Sequence, residues 1–110
     1  TYDGPSLIVA YTHCIAHGIN MSLGLEEQKK AVACGHWPLY RFDPRRLEKG
    51  ENPLQLDSKE PTLSFEEYAY GENRFRRLKQ RHPELAARLM EQASKDAASR
   101  YALYQKLAAL

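Results

Sequence analysis

The stretch PSLIVAYTHCIAHG, residues 5–18, contains the most apolar run of the chain, Ser6 to Tyr11. Pro5 bounds the run on one side and the glycine after His17 closes the stretch on the other. An uninterrupted apolar run of this length, set between turn residues, reads as a strand buried on both faces. Cys14 stands just past its carboxyl end. In open α/β sheets that end faces the crevice where ligands and cofactors bind. The thiol is therefore either a small core side chain or a ligand at the mouth of a site. A nucleophilic arrangement is not readable: His17 lies three residues on, and no third group can be named to orient it.

Outward from Gly18, a helix is expected after Ile19, with Asn20 or Ser22 as its cap. Glu26 and Glu27 fall in its first turn and Lys29 and Lys30 towards its end, as the helix dipole favours. Met21, Leu25 and Val32 share one face, and Gly35 after Cys34 suits a left-handed C-terminal cap. Strand, polar loop and helix make half of a βα unit. A buried parallel strand needs neighbours, and few other segments can supply them. The chain also opens on Thr1 rather than methionine, so it reads as a piece of a longer polypeptide.

Residues 36–63 carry four of the six prolines, which makes long helices improbable there. Leu39–Phe42 and Leu54–Leu56 read as short extended stretches, with a helical turn between them that Pro44 starts and Gly50 stops. An irregular arm is expected, with Trp37, Leu39, Tyr40 and Phe42 lying against another surface. Ser64 and Glu67 form a capping box, with Leu63 and Tyr68 in the staple positions. The helix they open should run to about Gln80, with Phe65, Tyr68, Phe75 and Leu78 on one face and a kink at Gly71. Pro83 opens a last helix to about Ala109, striped by Ala86, Met90, Ala93, Ala97, Tyr101, Tyr104 and Ala108. The fold class is α/β, mostly helical by content: a βα end-piece (1–35), an extended Pro-rich arm (36–63) and a C-terminal antiparallel helical hairpin (64–110).

Composition narrows the function. Lys plus Arg is 16 against 14 for Asp plus Glu, a net charge of +2 that does not favour nucleic acid. Two cysteines are too few for a disulfide scaffold. No signal peptide is visible, and no apolar run approaches the roughly 20 residues of a membrane span. The expectation is a soluble, cytoplasmic protein.

Three constellations remain. Cys14 with His17 and Cys34 with His36 could supply four zinc ligands, although the spacing is not that of a common finger. The bland alternative makes Cys34 a buried helix residue and His13 and His36 ordinary loop positions. The basic run Arg74, Arg76, Arg77, Lys79, Arg81 could dock an acidic electron carrier or a phosphate-bearing cofactor, or could be a solvated face paired with Glu66, Glu67 and Glu72. Residues 18–24 lack the end of a phosphate loop, and no pair of carboxylates has a context for acid–base work.

Four phrases, SLIVAYTHCIAHGINM, GHWPLYRFDP, NPLQLDSKEP and EYAYGENRFRRLK, resemble in order and spacing the C-terminal part of pyruvate:ferredoxin (flavodoxin) oxidoreductase. The resemblance covers about Pro5 to Leu107. It implies that residues 1–35 end a doubly wound domain that binds thiamine diphosphate with Mg. It also implies an enzyme that decarboxylates pyruvate on the thiamine, removes electrons through 4Fe–4S clusters, passes the acetyl group to coenzyme A, and gives the electrons to ferredoxin or flavodoxin. Cys14 matches the last thiolate ligand of the cluster nearest the thiamine. The other ligands and the thiamine motif lie upstream in the family, so the isolated segment is expected to be inert. Its partners would be the remainder of the same chain, a homodimer partner, and ferredoxin or flavodoxin. The alternative from another class is a non-enzymatic packing module in which Cys14 is incidental.

Overall fold

The computed structural model describes residues 2–110. Its helices are α1 (Gly24–Ala33), α2 (Phe65–Ala69), α3 (Asn73–Arg81) and α4 (Pro83–Ala109), and its strands are β1 (Tyr40–Phe42) and β2 (Leu54–Leu56). Short 3-10 turns cover Ile15–His17, Met21–Leu23 and Pro44–Lys49.

The first expectation is corrected. Ser6–Tyr11 is not a strand, and it is not buried: Leu7 is 88%, Ile8 89% and Val9 67% exposed. A strand exists only where a ladder satisfies its amides and carbonyls. Among the described residues the one sheet is the antiparallel pair β1–β2, so this run has nothing to pair with. The apolar pattern is real, but its partner surface is not supplied by these residues.

Asn20 caps as expected, its Oδ1 accepting from the Ser22 amide at 3.1 Å, but on the 3-10 turn that precedes α1. The buried face of α1 is also different from the one expected. Gly24, Glu27 and Ala31 are buried, and Cys34 follows them at the C-cap, whereas Met21 and Leu25 are exposed. Gly24 admits the His13 ring, Glu27 reaches Gly71, and Ala31 joins the core with Phe65, Tyr68 and Ala69 of α2. Gly35 takes φ 80°, the left-handed conformation expected of it.

The arm folds back on itself. β1 and β2 pair as Tyr40↔Leu56, Arg41↔Gln55 and Phe42↔Leu54. Asp43 Oδ1 accepts from the Arg45 amide at 3.0 Å to start the intervening turn, and Gly50 ends it. The hairpin lies on α4. Tyr40 stacks on Tyr104 with ring centroids 5.2 Å apart, and Asn52 donates to the Leu107 carbonyl at 2.8 Å.

Ser64 Oγ accepts from the Glu67 amide at 3.1 Å and opens α2. The single helix expected to reach Gln80 is in fact two. The chain breaks after Ala69 and restarts at Asn73, with Glu72 extended at φ −113°, ψ 131°. At the break, a Cβ on Gly71 would lie 2.7 Å from Glu27 Oε2, so the glycine admits the α1 carboxylate. Helix α4 has the expected bounds, and Ala86, Ala97 and Tyr101 of its stripe are buried. The core joins Ala31, Cys34, Phe65, Tyr68, Ala69 and Ala97, with Tyr11, Leu63, Phe75, Met90 and Ala93 packed against it.

Candidate functional site

The Cys14 turn is held at several independent points. Cys14 is extended, and its Sγ accepts from the Ala16 amide at 3.4 Å. The His17 amide donates to the Cys14 carbonyl at 3.0 Å and the Gly18 amide to the Ile15 carbonyl at 3.1 Å. Gly18 then turns the chain with φ 71°. Its carbonyl accepts from the Asn73 amide at 3.0 Å, at the head of α3. A Cβ on Gly18 would sit 2.4 Å from the Asn73 Cβ, so backbone and helix approach as only glycine allows. On the other flank the His13 ring packs over Gly24, where a Cβ would sit 2.4 Å from Nε2. Before the turn, the Tyr11 hydroxyl meets the Tyr68 hydroxyl at 2.8 Å.

Behind the turn lie two buried acids. Glu72 is fully buried, with Oε1 accepting from Arg74 Nε at 2.7 Å and Oε2 3.4 Å from His17 Nδ1. That second approach is close but is not aligned as a hydrogen bond. Glu27 comes from α1, and its Oε1 has no partner. Burial, and then the Glu72 charge, push the Glu27 carboxyl above the usual carboxylate range, with Lys30, Arg76 and Arg74 pulling the other way. Around the acids is an aromatic shell. His36 stacks on Tyr68 at 5.0 Å and meets the Tyr11 ring edge-on at 5.8 Å, and Trp37 lies 5.4 Å from Tyr11. Burial, with Arg100 and Arg74, lowers the His36 pKa. Burial, with the Tyr11 hydroxyl, raises that of Tyr68.

The zinc arrangement does not form. Cys34 is buried, and its thiol donates to the Ala31 carbonyl at 3.5 Å. His36 lies in the loop between α1 and β1, as expected, and its ring is committed to the aromatic shell. Among the described residues, no three His, Cys, Asp or Glu side chains are grouped to hold a metal ion. The basic run is divided. Arg74 belongs to Glu72, Lys79 lies 4.4 Å over the Tyr70 ring, and Glu66 and Glu67 form no ion pair with the run among the described residues. A separate apolar groove of about 700 Å³ lies between the hairpin and the last turns of α4, and no residue of the Cys14 turn lines it.

Tyr11, Glu27, Tyr68 and Glu72 were missed as site residues. From sequence Tyr68 reads only as a staple and a helix-face residue, and Glu72 only as a surface partner of arginines. The readable signal was Gly71-Glu72-Asn73, a glycine and two polar residues in the middle of an otherwise helical pattern.

No protein-family model matches the chain. It is 52% identical over 107 residues to pyruvate-flavodoxin oxidoreductase of Nostoc sp. and 51% identical over 107 residues to pyruvate:ferredoxin oxidoreductase of Moorella thermoacetica. It is 45% identical over 107 residues to the probable pyruvate-flavodoxin oxidoreductase of Escherichia coli. Each match covers 97% of this chain. The chain is homologous to one segment of the pyruvate-flavodoxin/ferredoxin oxidoreductases. It spans 9% of the length of these relatives. No helix among the described residues is long and apolar enough to cross a membrane.

Proposed function

We propose that this chain is the segment of a pyruvate oxidoreductase that contributes one thiolate, Cys14, to a 4Fe–4S cluster. The observation that carries the reading is the end-to-end match to a segment of these enzymes, with Cys14 on a turn fixed from both sides. The donor set fits one corner of a cubane. Cys14 is half-buried rather than sealed in the core, and its sulfur already accepts an amide hydrogen bond of the kind that tunes cluster thiolates. Cys34 does not fit, because burial pushes its thiol up and its proton is engaged with Ala31. The remaining ligands, and the residues for thiamine diphosphate and Mg, belong to the rest of the enzyme chain.

In that setting the whole enzyme oxidatively decarboxylates pyruvate to acetyl-CoA and CO2 and passes two electrons to ferredoxin or flavodoxin. A bound cluster supplies single-electron acceptance. This chain's own residues hold the sulfur, fix the turn, and keep water from its inner side with the aromatic shell. Residues 1–35 close the cofactor-binding domain, residues 36–63 form an arm across the molecule, and residues 64–110 form the helical hairpin that buttresses both. The segment alone is inert, since one cysteine cannot hold four irons. The enzyme is cytoplasmic and homodimeric in this reading.

The test is Cys14→Ser in the full-length enzyme purified without oxygen. The expected result is lower iron and sulfide content and loss of one paramagnetic signal. Unchanged iron and an unchanged spectrum would overturn the assignment.

A further inference from the structure

We propose that Glu72 is the positioning residue for the Cys14 turn, acting through His17. The inference rests on the reading of Cys14 as a cluster ligand. A fully buried carboxylate is costly to desolvate and persists only when its surroundings hold it. The one strong bond of Glu72 is to Arg74, through Oε1. Its other oxygen, Oε2, has no hydrogen-bond partner and lies 3.4 Å from Nδ1 of His17, the last residue of the turn that begins at Cys14. The break between α2 and α3 exists at this place and leaves Glu72 extended beneath the turn. The next residue, Asn73, binds the Gly18 carbonyl. Two successive residues of the break therefore meet two successive residues of the turn, Glu72 by the approach of its free carboxylate oxygen to His17 and Asn73 by a backbone bond to Gly18.

The acid thus acts on the sulfur in two ways. It holds the imidazole, and with it the Cys14–His17 backbone bond that sets the turn and aims the Ala16 amide at Sγ. It also sets a carboxylate against His17, three residues from the cluster ligand, and a negative charge on that side of the turn opposes the addition of an electron. Glu72→Gln retains size and an acceptor for Arg74 but removes that charge and the attraction for His17. His17→Gln removes the same contact from the turn side and leaves Glu72 and Arg74 together.

The experiment uses full-length enzyme purified anaerobically, with Cys14→Ser identifying the signal of the cluster in question. Glu72→Gln should keep iron and sulfide at the wild-type level while changing the line shape of that one signal and raising its midpoint potential, the other clusters being unmoved. His17→Gln should change the same line shape, and the double variant should add little to either single change. If Glu72→Gln fails to fold, His17→Gln alone carries the line-shape test. A lowered melting temperature with an unaltered spectrum and potential in both variants would overturn the proposal, leaving Glu72 a purely structural group. An unchanged iron content in Cys14→Ser would instead remove the ligand reading beneath it.

Discussion

Gly18 and Gly50 make a matched pair for measuring what locks the Cys14 turn. Both have φ 71°, so alanine at either position meets the same backbone penalty, about 1–2 kcal/mol. Their surroundings differ. At Gly50 a Cβ meets nothing within 4 Å, whereas at Gly18 it falls 2.4 Å from the Asn73 Cβ. Relief requires the turn to move off α3, which strains the 3.0 Å bond from the Asn73 amide to the Gly18 carbonyl. Overpacking of this kind adds about 1–3 kcal/mol. Gly18→Ala should therefore be less stable than Gly50→Ala by that increment, on the order of 10 °C in melting temperature for a domain of this size. Urea unfolding of both variants, followed by far-ultraviolet circular dichroism, reads the difference directly. Asn73→Gly in the Gly18→Ala background removes the opposing Cβ and should recover part of the loss, against a helix cost of about 1 kcal/mol. Equal destabilisation of the two alanine variants would show that the close approach of turn and helix is not a constraint, and the account of Gly18 would fail.

Two further outcomes are expected. Tyr68→Phe deletes the hydroxyl that meets Tyr11 at 2.8 Å and should cost about 0.5–1.5 kcal/mol; Tyr11→Phe should cost a similar amount, and strict additivity in a double-mutant cycle would refute the bond. Glu27→Gln should stabilise the chain increasingly as pH rises. The folded pKa of Glu27 is raised above its ordinary 4.5, so the contribution of its neutral form is fully present below that value and is lost as pH climbs through the folded value, whereas glutamine has no charge to lose. Urea midpoints from about pH 4 to about pH 8 check this, and parallel curves for the two proteins would count against it.

Local chemistry was legible residue by residue. The caps at Asn20 and Ser64, the left-handed glycine at 35, the turn from Pro44 to Gly50 and the full length of α4 all follow from short-range rules, because each depends on atoms within a few residues. The family resemblance, carried by four phrases of sequence, was legible in the same way. What failed depends on partners distant in sequence. Ser6–Tyr11 has the composition of a buried strand, yet burial is a property of the surface that covers it. The α1 face was chosen by what packs on it, the His13 ring against Gly24 and the α2 core against Ala31, while Leu25 stays exposed.

By itself, then, the amino-acid order determined the capped elements, the place of Cys14 beyond an apolar run, and the kinship to an oxidoreductase segment. Only the tertiary structure decided that the kink at Gly71 is a full break between two helices and that β1 and β2 pair. It alone set Glu72, Glu27 and the Tyr11–Tyr68 pair behind the cysteine turn. The reason is physical. A cap is settled by local geometry, whereas the burial of a charge is settled by which helices meet around it, and that depends on close packing across the whole molecule.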